Sequence, residues 1–188
     1  MKSKRARAAL AAVAALAALG GGFVTMSDGT RVPDDVALAA TYLVSPWEGR
    51  ELRAYPDPAT GGKPWTICDG DTKGVTKGMV ETAAGCDARL SRRMMEFRKE
   101  LIACVPGFDK KPLSWRGMMN SLTYNIGTGA ACRSTAARLG KAGEYVASCK
   151  AATAFNRANG KVMIGLVKRR TTGDAIRIGE QELCEAGL

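Results

Sequence analysis

The spacing of apolar and polar positions divides the chain into an uncharged lead, a short irregular middle and a helical remainder. Residues 1–7 carry four basic groups and no acid, and the next twenty, Ala8 to Ser27, carry no charge at all. A run of that length is about enough to cross a bilayer as a helix, with the basic flank left on the cytoplasmic side. Its composition is weak for the purpose. It is mostly Ala, it contains Gly20-Gly21-Gly22, and its large apolar groups are Leu10, Val13, Leu16, Leu19, Phe23 and Val24. Three readings stand open at this point. One is a signal peptide cut near small residues such as Ala18-Leu19-Gly20, another a permanent anchor, and the third an uncleaved segment that inserts weakly and later leaves the bilayer. The Lys and Arg residues crowded at its start argue against a buried Ala-rich core helix.

Residues 28–33 read as a turn. Pro33-Asp34-Asp35 then opens a helix, since Pro suits the first turn and acids suit the N-terminus. Val36, Leu38, Ala39, Tyr42 and Leu43 give this helix one apolar face, and it is expected to end between Pro46 and Arg50. Residues 51–76 read as a small β region, with short strands at Ala54-Tyr55 and Trp65-Thr66-Ile67 around Pro56-Asp57-Pro58 and Gly61-Gly62. Thr82 is placed to cap a long helix over 83–104. Leu90, Met94, Phe97, Leu101 and Ile102 form its inner face, and Arg89, Arg92, Arg93, Arg98 and Lys99 read as a solvated face. Pro106-Gly107 stops it. A second core helix runs from Ser114 to Asn125 and ends at 126–129. Helices over 134–139, 143–152 and 165–183 follow, with a polar turn at 155–160. The fold class expected is α+β, mainly α, with a small hairpin lobe and a helical lobe behind an N-terminal hydrophobic helix. The division expected is 1–27 as the N-terminal segment and 28–188 as the domain.

Composition narrows the chemistry. Twenty-eight Lys and Arg against 18 Asp and Glu give a net charge of +10, which favours polyanionic partners such as anionic lipid or bacterial cell wall. Nucleic acid ranks low, because no zinc finger, RNA-binding signature or aromatic-rich basic motif is present. The chain has no histidine, so Ser-His-Asp and Cys-His catalysis are excluded and zinc hydrolysis is disfavoured. Asp69-Gly70-Asp71 falls short of a calcium loop, with no Glu at the twelfth position. The six cysteines show no CxxC spacing, and an exported N-terminus favours disulfides over free thiols.

Carboxylate chemistry remains, and one stretch is suited to it. Glu48 falls at the expected helix end, while Asp57 and Thr66 fall on the turn and strand that follow. Two carboxyl groups held apart across a cleft are what a glycosidase requires, one as general acid and one to support water or the sugar cation. Glu51, three residues on, is a decoy for the same role.

Here the chain resembles the tailed-phage lysozymes, the muramidases of glycoside hydrolase family 24. The match rests on Glu48-Gly49 with Asp57 nine residues later, then on Trp65-Thr66-Ile67-Cys68. Three further stretches follow in order: Ser121-Leu122-Thr123-Tyr124-Asn125-Ile126-Gly127, Cys132-Arg133-Ser134-Thr135, and the Gly165-Leu166-Val167-Lys168-Arg169-Arg170 motif. The likeness covers about residues 34 to 188. Two departures stand out. The spacing from Asp57 to Thr66 is about three residues longer than usual, and Gly70-Asp71-Thr72 stands where the family often has Gly-His-Thr.

The resemblance implies a lysozyme-like fold and hydrolysis of the β-1,4 bond between N-acetylmuramic acid and N-acetylglucosamine in peptidoglycan, by a monomer with no cofactor or metal. It implies Glu48 as general acid, shielded beside Trp47 and kept protonated near neutrality. Asp57 would be the ionised carboxylate, and Thr66 would hold water or orient Asp57. Lys168, Arg169 and Arg170 are read either as substrate contacts or as a helix cap or salt bridge. Relatives imply sequential disulfides, Cys68–Cys86, Cys104–Cys132 and Cys149–Cys184. Some endolysins of the family carry a signal-arrest-release segment, and Ala8–Ser27 resembles one. That favours an uncleaved segment held in the host inner membrane on its periplasmic side and later released to the periplasm. No cysteine lies in residues 1–67, so disulfide exchange from the segment is not available as a control. A lytic transglycosylase, a non-catalytic wall-binding protein and a cationic membrane-disrupting protein are the rival readings.

Overall fold

The computed structural model describes residues 3–56 and 62–188. The uncharged lead forms α1 (Lys4–Leu19), which packs against the body. Only a narrow seam of it is buried: Ala6, Ala9, Val13 and Ala17. These small residues let α1 lie close to its neighbours, while its remaining face stays in water with Leu16 and Leu19 exposed. Gly20 caps the helix. Among the described residues no helix is long and apolar enough to cross a membrane.

The turn expected at 28–33 belongs to a hairpin, β1 (Phe23–Thr25) paired with β2 (Arg31–Pro33). Its first strand falls inside the uncharged run, where Gly20 to Gly22 have broken the helix. Next come α2 (Asp34–Ala39), a π-helical turn (Ala40–Val44) and α3 (Ser45–Glu48), one nearly continuous helical rod. The wide turn precedes Pro46, which has no N–H to give, and Ser45 N–H bonds back to Ala40 O. The rod thus ends where the sequence indicates.

The β lobe is the antiparallel pair β3 (Glu51–Pro56) and β4 (Trp65–Cys68), in register at Tyr55↔Thr66 and Pro56↔Trp65. On its other edge β3 meets the chain at Met79–Glu81, through Ala54 N–H to Met79 O at 2.9 Å and Glu81 N–H to Leu52 O at 2.8 Å. Its own core is small, with Ile67, Cys68 and Cys86 buried and Ala54, Val75 and Met79 packed on them. So few contacts cannot hold a two-stranded lobe alone, and Cys68–Cys86 ties it to α4 (Ala83–Cys104). Thr82 caps α4 as expected, its hydroxyl accepting from Gly85 N–H at 2.9 Å.

The helical lobe contains α5 (Leu113–Ile126), α6 (Thr128–Arg133), α7 (Thr135–Lys141) and α8 (Tyr145–Ala152). Trp115, Met118, Met119 and Leu122 of α5 fill its centre. Three elements differ from expectation. Residues 126–129 do not only end a helix, because Thr128 starts α6 directly. The polar turn at 155–160 is part of a hairpin, β5 (Arg157–Ala158) with β6 (Lys161–Val162). The helix expected over 165–183 is two, α9 (Ile164–Arg170) and α10 (Glu180–Ala186). Asp174 divides them: its carboxylate accepts from the backbone of Ile176 and Arg177 and from the Arg177 side chain, a local pattern that competes with helix. All three disulfides form with the sequential pairing, Cys68–Cys86, Cys104–Cys132 and Cys149–Cys184.

The solvated face expected for α4 is in part an ion-pair surface. Arg98 meets Asp35 at 2.9 Å, Arg89 meets Asp71 at 3.0 Å, and Arg93 pairs with Glu96. Polar contacts also dock α1. Arg5 grips Glu182 of α10 at 2.8 Å through both Nε and Nη2, and Ser3 donates to the same carboxylate. Burial works against the Glu182 charge, yet these bonds outweigh it and hold its pKa below the ordinary value. A lowered folded pKa contributes stability that is present above the unfolded value of about 4.3 and lost as pH falls through the folded one. Hydrogen–deuterium exchange is therefore expected to show the amides of α1 opening ahead of those of α5 on acidification below about pH 4. Glu182→Gln should produce the same opening at neutral pH. Unchanged protection of α1 in that variant would mean that the apolar seam alone holds the helix.

Candidate active site

Glu48 is the last residue of α3, and Gly49 follows at φ +71°, ψ 92°. That left-handed backbone is open to Gly at no steric cost, and it turns the chain straight into β3. Glu51 therefore sits on a strand and is exposed, which separates it from Glu48. The Glu48 side chain is 19% exposed and accepts a hydrogen bond from Arg169 Nη1 at 2.6 Å. On its other side lies Gly70, whose φ of +89° needs no side chain; a Cβ there would stand 3.6 Å from Glu48 Oε2.

Trp47, the neighbour expected to shield Glu48, is anchored by contacts of its own. Its indole N–H donates to Ile178 O at 2.9 Å, and the Arg177 guanidinium lies 3.9 Å over its ring. The group bonded to Glu48 is Arg169, which is itself buried. Arg169 Nε lies 3.5 Å from Glu180 Oε1, and Arg170 pairs with the same oxygen. Ser121 donates to it at 2.7 Å, and Arg170 also reaches Asn125 Oδ1 and, at 3.1 Å, Phe155 O. Glu180 and Arg170 are fully buried. Of the two readings of the basic run, Arg169 and Arg170 are salt-bridge residues, whereas Lys168 is exposed.

The turn after β4 forms the opposite wall. Ile67 and Asp71 exchange backbone bonds at 2.9 Å, closing a tight loop over Cys68, Asp69 and Gly70. Its two acids hold the lobe in place. Asp69 accepts from Arg50 at 2.8 Å, and Arg50 also meets Asp87 of α4 at 2.6 Å. Asp71, standing where the resemblance leads one to expect His, takes Arg89. Both acids are thus engaged by arginines, and among the described residues no cluster of three or more His, Cys, Asp or Glu could hold a metal. Tyr124 donates to Asp69 O at 2.7 Å. Burial first, then the charges of Glu48 and Asp69, push its pKa well up, so the phenol stays a neutral donor.

Thr66 lies on β4, nearly buried at 7% exposure and opposite Tyr55. Asp57, the residue after Pro56 at the end of β3, lies outside the described residues. Glu48 and the turn after Thr66 are thus brought together. Sequence reasoning missed Glu180 and did not pair Arg169 with Glu48. The one signal was the double arginine of the late motif, two adjacent cations that call for an acidic partner.

The helical body and pinned hairpin lobe are those of a lysozyme-like protein, a likeness that solved structures share. The endolysin of Escherichia coli O157:H7 phage FAHEc1 superposes with a TM-score of 0.65 at 24% identity, over 87% of this chain and 94% of that one. The active form of P1 phage endolysin Lyz does so with 0.64 at 23% identity, over 95% and 94%. The chain belongs to the phage lysozyme family, whose model matches residues 45–172. The SAR-endolysin of Enterobacteria phage P21 is 30% identical over 121 residues, which cover 64% of this chain and 68% of that one.

Removing one side of the buried cluster is expected to cost more than the cluster contributes, because a charge is left unpaired in the interior. Arg170→Met should lower unfolding free energy by about 3–5 kcal/mol in denaturant titration. Arg169→Met is expected to release the Glu48 side chain, and turnover that depends on its position should fall by roughly 100-fold. A stable Arg170→Met protein would show that Glu180 finds another partner.

Proposed function

We propose that the chain is a muramidase that hydrolyses the β-1,4 bond between N-acetylmuramic acid and N-acetylglucosamine in peptidoglycan, with the bacterial host wall as its substrate. The observation that carries this is the isolation of Glu48. It is a single carboxylate at a helix end, bonded to a buried guanidinium and faced by a glycine, at the entry to the strand that precedes Asp57 in the sequence. Glu48 protonates the leaving oxygen. Asp57 steers water or supports the oxocarbenium-like charge, and Thr66 holds that water or orients Asp57. The net positive charge of +10 favours contact with the anionic wall. The monomer needs no cofactor.

Residues 1–27 act as a signal-arrest-release segment and residues 28–188 as the catalytic unit. The SAR-endolysin relatives support this, and so does the composition of α1. A helix of Ala with few large side chains gains little from lipid, and its small-residue seam fits the folded body. The segment first holds the protein at the periplasmic face of the host inner membrane. It then leaves uncleaved and docks through Arg5 and Glu182, a reading that the contacts of α1 support.

Mass spectrometry of muropeptides from purified peptidoglycan tests the reaction. Wild type is expected to release hydrated products with reducing ends, and Glu48→Gln to lose at least about 100-fold in rate, with Glu51→Gln close to wild type. Anhydro products would identify a transglycosylase instead. Loss of activity in Glu51→Gln with Glu48→Gln active would reassign the acid.

A further inference from the structure

The hairpin of β5 and β6 stands out from the body. Residues 157–165 form an unbroken exposed run. Its backbone bonds are its own: Arg157 pairs with Val162, Ala158 pairs with Lys161, and Met163 N–H donates to Asn156 O at 3.0 Å. A lone two-stranded hairpin is marginal in water, and this one carries apolar side chains it does not bury. Val162, Met163 and Ile164 are 48%, 46% and 68% exposed in succession. Large apolar groups left together in water mark an interaction surface. Arg157, Lys161 and Lys168 border them, and among the described residues none of the three forms an ion pair with a carboxylate. The hairpin runs without a break into α9, which carries Arg169, the partner of Glu48. At about 1.5 Å rise per residue, Ile164 lies roughly 7.5 Å along that helix from Arg169.

We infer that this hairpin is a ledge for the acidic peptide branches of the peptidoglycan strand. Val162, Met163 and Ile164 take up the methyl groups of a branch, and Lys161 with Arg157 and Lys168 takes its carboxylates. The inference rests on the peptidoglycan reading of the site. Charge argues for this occupant: three bases border the apolar side chains and none of them meets a carboxylate among the described residues, so a branch that carries both carboxylates and methyl groups matches the ledge. A bilayer would satisfy the same apolar and basic groups. Insertion there, however, would press the helix that holds Glu48 against lipid and away from glycan.

The test compares wild type, Lys161→Glu and Met163→Ser on intact peptidoglycan and on glycan strands stripped of peptide by an amidase. Wild type is expected to favour intact strands, and each variant to lower the intact-to-stripped ratio of kcat/KM by about tenfold. Sedimentation with intact sacculi in the cold should show weaker binding by both variants. Equal losses on the two substrates would make the hairpin a mere support for Arg169 and overturn the inference. So would an unchanged ratio, or a wild type with no preference. If the variants instead lose binding to anionic lipid vesicles at a constant ratio, the ledge is a membrane contact. If wild type cleaves neither substrate, the muramidase reading fails, and the sacculus-binding comparison still decides the hairpin: weaker binding supports it and equal binding refutes it.

Discussion

The setting of Glu48 depends first on how Glu180 is buried behind it. A carboxylate with no exposure is costly unless cations and hydrogen bonds meet it, and here Arg170, Arg169 and Ser121 do so. The cost of that burial is turned to position. Arg169 is buried with its Nε 3.5 Å from that acid, and its Nη1 is bonded to Glu48. The cluster joins α3, α5, α9 and α10, so one carboxylate at the surface is oriented by four helices. A surface pair of the same residues would be worth little and would wander.

The β lobe is placed by the same kind of chemistry. Its few buried residues contribute too little to fix its angle to the helices. Cys68–Cys86 supplies a covalent tie, Arg50 bridges Asp69 to Asp87, and Arg89 takes Asp71. All these ties converge on the five residues from Ile67 to Asp71, which contain Gly70 beside Glu48. Asp71, paired with Arg89, stands at the position where the resemblance leads one to expect histidine. The N-terminal segment reaches this network through Ser27 and meets α10 separately through Arg5. Arg5 holds Glu182, two residues past Glu180, and Ser27 donates to Asp87, the partner of Arg50.

Much of this was legible in the sequence, for local reasons. The Thr82 cap and the apolar repeat of α4 are short-range signals, and Pro46 with Gly49 marks the helix end that sets Glu48. The ordered motifs led to the family, to Glu48 and to the disulfide pairing. What was not legible is long-range or depends on side-chain competition. Nothing in the spacing of residues 165–183 says that Asp174 will bond its own following backbone and split one helix into two. Nothing local tells that Arg169 faces Glu48 across 121 positions, or that Trp47 turns to Ile178. Arg89 and Arg98 of α4 read as solvated because their acidic partners lie in other elements. Asp57 was chosen by its spacing from Glu48, and it rests on that spacing and on the motif.

The central claim is that Glu48, held by Arg169, is the acid that meets the glycosidic oxygen. A crystal structure of Glu48→Gln with a bound peptidoglycan tetrasaccharide tests it most directly. The account predicts the amide of residue 48 about 3 Å from the scissile oxygen, with the Asp57 carboxylate on the far face of the sugar ring and Arg169 still on residue 48. A strand bound away from this edge, or one whose scissile oxygen faces Glu51, would contradict it.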